Sequence, residues 1–430
     1  MSRVIRSSTA AGATLKGSPT LVGGDRPCVD SLGKAAPSRG AGASMPATAF
    51  WLLAYLFGAA VLGTTLLTPL YVLYQARYHF SSSVLTLIFA TNAAAILVTL
   101  LLAGRISDQV GRRPVLAAAL AFGALSAVVF ILAPGLGWLF LGRALSGLSA
   151  GLVTGAAAAA LTETGNNARR SSLVATGANM GGVGLAPLVA GVFAEYGPNP
   201  TVLVFEVYLG ILALAALALL HIPETVVERT PLNLRFEGLG IPQSGRSEYL
   251  AAALAGFAAF SLLGMFGALA PSFLGQVLHE RNHAVDGAIV FAIYLSATVT
   301  GLVVSRFRSR PVVLFGLATF LVALALIVAG LSAASLVLFI VGTLVGGVGV
   351  GSVFLGSLST ASRLAPPAER GKVVSTFFVF CYLGLAVPTV GVGIASTHVG
   401  DFRAVLVCAI VLAALSVVSM AGIRRAAVTR

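Results

Sequence analysis

From residue 49 to residue 423 the chain alternates long apolar stretches with short polar breaks. A membrane-crossing helix needs about 20 mainly apolar residues. Twelve such stretches can be set out, the first over 49–74 and the last over 403–423. They are apolar all round, as expected of helices that meet lipid or other helices on every side. The longest polar break, 221–248, carries Pro223, Glu224, Glu228, Arg229, Arg235, Glu237 and Arg246, and it divides the stretches into two sets of six. The pattern predicts an all-α polytopic membrane protein of twelve transmembrane helices. Its two pseudo-symmetric six-helix halves, 47–221 and 249–425, are joined by a cytoplasmic linker, 222–248. Residues 1–46 are rich in Ser, Gly, Ala and Arg and have no long apolar run. They read as a disordered cytoplasmic tail, with Met45 as an alternative start, and residues 426–430 read as a short cytoplasmic C-terminal tail.

Composition supports the pattern. The chain is 57% hydrophobic and 10% charged, against roughly 25% charged in soluble proteins, too little to cover a surface facing water. A net charge of +13 raises the question of nucleic acid, and the placement of the basic residues answers it. With both termini inside, Arg77, Arg281 and Arg403 fall outside and Arg143 lies within a span. The remainder of the 27 Arg and Lys residues fall inside. Insertion topology explains such a bias, so no nucleic-acid partner is expected. The three cysteines lack the spacing of a metal site or disulfide framework. With no paired His/Glu metal motif and no phosphate-binding loop, no metal, cofactor or enzymatic activity is expected. Compact loops and the lack of an organelle-targeting segment predict a multi-pass protein of a prokaryotic cytoplasmic membrane, a monomer in contact with lipid.

The halves echo one another. Arg113-Pro114 and Arg310-Pro311, the small-residue runs 146–151 and 346–351, Arg170 and Arg370, and Pro187 and Pro388 recur at nearly one offset. A duplicated six-helix unit is a common build of alternating-access transporters.

Between the second and third stretches, Gly104, Asp108, Gly111, Arg112 and Arg113 form a charged turn. With twelve spans and two halves, this segment resembles the loop signature of the major facilitator superfamily, Gln109 departing from its usual basic residue. The resemblance implies that Asp108 acts as a conformational latch on the N-terminus of the eleventh helix, at 371–375. Gly182, Ala186, Pro187 and Gly191 resemble the antiporter motif of the twelve-span drug/proton branch, with Ala186 and Ala190 in place of two glycines. Leu62-Gly63 with Pro69, and Arg143 with Gly147, are partial matches to two further motifs of that branch. The implied activity is proton-coupled export of a small molecule, with a coupling role for Arg143.

Arg143 and Glu206 lie at a similar shallow depth in their spans. A charge at helix centre costs roughly 2.5–3.5 kcal/mol on insertion scales, so the two are expected to interact, with Glu206, Arg143 or both taking part in proton coupling. Mid-depth candidates for a substrate cavity are Tyr55, Asn92, Asn179, Met180, Phe257, Phe260, Tyr294, Phe377 and Tyr382. No basic cluster lies among them, which argues against phosphates and polycarboxylates and favours an apolar or amphipathic compound. The alternatives are an importer or uniporter of a sugar or other neutral nutrient, and a non-transporting sensor of the same fold.

Overall fold

The computed structural model describes residues 47–103, 106–165, 167–226, 238–278, 280, 282–366 and 369–428. They form fourteen α-helices and, among the described residues, no strand. In chain order the first half holds α1 (Ala47–Leu62), α2 (Tyr71–Tyr78), α3 (Ser82–Ala103), α4 (Ile106–Val110), α5 (Arg112–Leu132), α6 (Leu136–Thr164), α7 (Ala168–Tyr196) and α8 (Pro200–Leu220). The second half holds α9 (Arg246–Gln276), α10 (His283–Val304), α11 (Ser309–Ser332), α12 (Leu336–Leu364), α13 (Arg370–Val399) and α14 (Asp401–Val428). Eleven are long and apolar enough to cross a membrane. Their outward faces carry exposed Leu, Ile and Val, such as Leu214, Leu217, Val407 and Ile410. Water would penalise such faces and lipid does not. The proposed tail and much of the linker lie outside the described residues.

One predicted span is not continuous. The stretch 49–74 breaks into α1 and α2 around 63–70, where Thr64, Thr68 and Leu70 donate to carbonyls three residues back. Gly63 at the start of this break and Pro69 near its end are both poor helix formers. A second difference concerns Glu248, expected in the linker. It lies in the first turn of α9, 1% exposed, because that helix begins at Arg246.

The internal echo is structural. Cβ atoms added to Gly147 and Gly151 of α6 would lie 2.5 Å from Asn92 O and 2.5 Å from Thr99 Cβ of α3. At Gly347 and Gly351 of α12 they would lie 2.5 Å from Ile293 O and 2.2 Å from Ala297 O of α10. Each half thus uses the same two repeat positions for one close helix approach, which small residues permit in lipid. The halves meet away from the arginine-rich loops. Gly191 of α7 abuts Gly287 of α10, and Ser83 of α3 donates to Gly393 O of α13 at 3.0 Å.

Candidate functional site

A cavity of about 370 Å³ lies between the halves. It runs from Phe89, Asn92 and Tyr294 toward Thr162, Ser172 and Leu358, which lie near helix ends beside the arginine-rich loops. Four stripes build its first-half wall: Phe57, Val61 and Thr64 on α1 and just past its end; Phe89, Asn92 and Ile96 on α3; Ala150, Thr154, Ala158 and Thr162 on α6; and Ser172, Thr176, Asn179 and Val183 on α7. Steps of three and four place each set on one helix face. The second half contributes Phe260, Leu263, Tyr294, Phe354, Leu358, Phe378, Tyr382 and Leu385.

Among the described residues, no Asp, Glu, Lys, Arg or His lines the cavity. The threonines are partly spoken for: Thr64, Thr65, Thr154 and Thr162 donate to Val61, Val183, Ala150 and Ala159 carbonyls. They therefore present methyl groups and oxygen lone pairs. Asn92 is 4% exposed, and its Oδ1 has no hydrogen-bond partner among the described residues. The polar edge of the cavity therefore combines threonine acceptors with the hydroxyls of Tyr294 and Tyr382 and the amide of Asn179.

Of the residues expected here, Asn92, Asn179, Met180, Phe260, Tyr294 and Tyr382 line the cavity. Tyr55, Phe257 and Phe377 do not. Tyr55 is 40% exposed and donates to Ile211 O, because it lies on the outward side of α1. Phe257 packs its backbone beneath Gly384. Phe377 is fully buried behind the wall, against Phe354 and Phe378. Phe89, Phe354 and Phe378 were missed. Phe89 could have been found from its i,i+3 relation to Asn92; the other two carry no comparable signal.

Arg143 is fully buried and does not meet Glu206. It donates to Thr64 O and, through two nitrogens, to Tyr71 Oη. Its guanidinium carbon lies 5.2 Å from the Tyr71 ring centroid and 5.8 Å from that of Phe89. The break after α1 explains this placement. Unwinding frees carbonyls that lipid cannot satisfy, and side chains from α6 and α8 take them up. Tyr208 Oη donates to Ala60 O at 3.2 Å, Ser146 Oγ to Gly63 O at 3.0 Å, and Arg143 to Thr64 O. A cation at a helix C-terminus is also favoured by the helix dipole. Glu206 is exposed, because α8 buries the stripe Phe205, Tyr208, Leu212, Ala215 and Leu219 and residue 206 falls off it.

The charged turn builds a hub at the arginine-rich end. Arg112 pairs with Asp108 at 2.5 Å and forks onto Glu163 at 2.6 and 3.3 Å. Glu224 accepts from the backbone N–H groups of Arg112 at 2.8 Å and Arg113 at 3.1 Å, so it caps α5 from beyond α8. Burial pushes its carboxyl up, but the N–H groups of Arg112, Val226, Arg113 and Thr225 outweigh that and hold it below the ordinary carboxylate value. Gly104 lies outside the described residues. Asp108, expected to act on the N-terminus of the eleventh predicted span, which is α13, pairs in this structure with Arg112. Gly240 and Tyr249 meet the start of α13, through Thr376 Oγ1 and Val373 O.

The antiporter-like residues of α7 divide by helical phase. Gly182 faces α1, where an added Cβ would lie 2.3 Å from Gly58 O, and Ala186 is fully buried. Pro187 and Gly191 face α10. A Cβ on Gly287 would lie 2.2 Å from Pro187 O, and one on Gly191 would lie 2.4 Å from His283 O.

A family model described as Major Facilitator Superfamily matches residues 52–387. No curated protein matches the sequence. Among solved structures, a bacterial homolog of the human lysosomal transporter Spinster, described as inward-facing and unoccupied, superposes with a TM-score of 0.70 at 13% identity. It covers 89% of this chain and 98% of that one. A POT family transporter in complex with 5-aminolevulinic acid gives 0.70 at 13% identity, covering 88% and 96%. The human organic anion transporter MFSD10 gives 0.62 at 18% identity, covering 88% and 99%. At these identities the likeness is one of fold.

Proposed function

The chain belongs to the Major Facilitator Superfamily, and from that premise we propose that it exports a small, uncharged, apolar or amphipathic compound in exchange for protons. The observation that carries the reading is the cavity: about 370 Å³, aromatic and aliphatic, with no charged residue among its described lining and with Thr, Asn and Tyr side chains as its polar groups. Such a site suits an amphipathic ligand bearing a hydroxyl or N–H donor. A phosphate or polycarboxylate would find no cation among the described lining residues, and Arg143, behind Thr64 and Phe89, is fully buried and already bonded to Thr64 O and Tyr71. The arginine-rich end is read as cytoplasmic, so the cavity opens inward and would load from the cell interior. Rocking of the halves would then expose it to the other side. One charge crossing 100 mV supplies about 2.3 kcal/mol, enough for roughly fifty-fold accumulation at about 1.4 kcal/mol per tenfold.

The test is transport in proteoliposomes under an imposed pH gradient, using a panel of amphipathic dyes and neutral nutrients. Dye-dependent proton release supports exchange. Sugar or nutrient flux that ignores the gradient would assign the protein to facilitated uptake, and absence of flux with every compound would point to a sensor.

A further inference from the structure

The closed end of the molecule holds a titratable cluster that the cavity does not use. Asp286, in the first turn of α10, is 3% exposed. Its Oδ2 lies 3.4 Å from His283 Nδ1. Its Oδ1 is buried without a hydrogen-bond partner among the described residues. Across the boundary between the halves, Glu195 near the end of α7 accepts the His283 backbone N–H at 2.9 Å. Glu280 accepts the Asn282 N–H at 3.0 Å. Among the described residues, the charged groups that act on Asp286 are His283 on its own helix, Glu195 on α7 and Glu280 on the preceding loop.

This cluster sits on the tightest contact between the halves, where Gly191 and Gly287 bring the α7 and α10 backbones together. A carboxylate buried with one oxygen unsatisfied is costly. Two further carboxylates beside it add like-charge repulsion, one of them from the opposite half. A proton on the Asp286–His283 pair relieves both terms, and it does so only while the contact is closed. Separation of α7 from α10 exposes Asp286 to water and removes the penalty on its charge.

We propose that Asp286 and His283 form a proton-binding site on the outer gate, and that its occupancy holds α7 against α10. Proton uptake there closes the outer face, and proton loss opens it. The inference rests on the alternating-access reading but needs no knowledge of the substrate.

The experiment is a spin-label distance measurement on the full chain without substrate. Labels go on Tyr196→Cys and Val337→Cys, both exposed near the outer ends of α7 and α12, in a background with Cys28 and Cys408 replaced by Ala. On raising the pH from about 5 to 8, the long-distance population should grow relative to the short one, with a limiting slope of tenfold per pH unit for one coupled proton. Asp286→Asn, which stays neutral, should remain at short distance and lose the pH response. Asp401→Asn, an acid elsewhere on the outer side, should keep it. A pH-independent wild type, or an Asp286→Asn variant that responds like wild type, would overturn the proposal. Because no substrate is added, failure to transport any dye leaves this result standing, and a flat pH response leaves the transport assay standing.

Discussion

Replacing Gly111 by Ala tests whether the charged turn is a built cap for α5. Gly111 has φ +116° and ψ 155°, a region that residues with a Cβ rarely enter, at on the order of 1–3 kcal/mol. The new Cβ would also lie 2.6 Å from Glu224 Oε2. The carboxylate must then retreat from the N–H groups of Arg112 and Arg113, and losing a helix cap costs about 0.5–2 kcal/mol. Together these predict roughly 1.5–5 kcal/mol of destabilisation, read by reversible denaturation in mild detergent. The two contributions separate in a double-mutant cycle with Glu224→Ala. Once the carboxylate is gone the Cβ has room, so the double variant should fall short of the summed penalties by about 0.5–2 kcal/mol. A Gly111→Ala variant within about 0.5 kcal/mol of wild type, or penalties that add in full, would refute the cap.

The same carboxylate predicts an acid limit. Its folded value is depressed, so its stabilisation is present above the ordinary carboxylate range and is lost as pH falls through the lowered value; a melting series should show an acid step that Glu224→Gln lacks. Arg143→Met leaves Thr64 O and Tyr71 Oη without their donor, which should cost about 1–3 kcal/mol for the orphaned carbonyl alone, and Arg143→Lys should recover only part of it, both measured by detergent melting. Asp108→Asn should change stability by less than about 1 kcal/mol, since its side chain is 54% exposed and Arg112 keeps Glu163; it should lower vesicle transport if Asp108 engages α13 in the outward-open state. Gly191→Val should force α7 from His283 O and raise thiol labelling at outer-face cysteines several-fold, where unchanged labelling would mean that the contact does not set the gate.

The helices and the two-fold repeat were legible because lipid imposes a length and a composition, and because duplication leaves matching Gly and Pro positions. Six of the nine residues proposed from sequence line the cavity for a simpler reason: polar or large groups at mid-depth seldom face lipid. The misses share one cause. Depth along a helix can be counted from sequence, but azimuth cannot be fixed in helices that are apolar all round. Arg143 and Glu206 have similar depth yet point to different neighbours, and Phe377 differs from Phe378 only by one step of rotation. The break at 63–70 was veiled because its threonines sit among Leu66, Leu67 and Leu70 and no charge marks it, so the stretch never turns polar enough to read as a loop. The small and polar residues that repair it, Ser146 and Tyr208, come from distant helices. Asp286 carried no motif, and its importance emerges only when Glu195 is placed beside His283.

The two halves also solve one mechanical problem with opposite charges. In the first half a buried cation, Arg112, is held between Asp108 and Glu163. In the second a buried anion, Glu248, is held by Arg363 at 2.6 Å and Arg310 at 3.4 Å, and Arg310 also reaches Ala426 O at the end of α14. Glu163 and Arg363 end the equivalent helices α6 and α12, so the repeat preserved a charged fastening at that position while inverting its sign. The echo of the charged turn at 305–311 has no acid of its own, and α9 supplies one. Both hubs tie helix ends within a half, whereas the contacts between halves at the closed end are largely glycine against backbone. In each hub one charge is buried and its partners are partly exposed, so removing the buried member leaves the partners to water, whereas removing all the partners would strand a buried charge. Parting apolar surfaces in lipid carries little hydrophobic penalty. Motion is therefore expected to be concentrated at the boundary between the halves, where Asp286, His283 and Glu195 contribute the ionisable contacts.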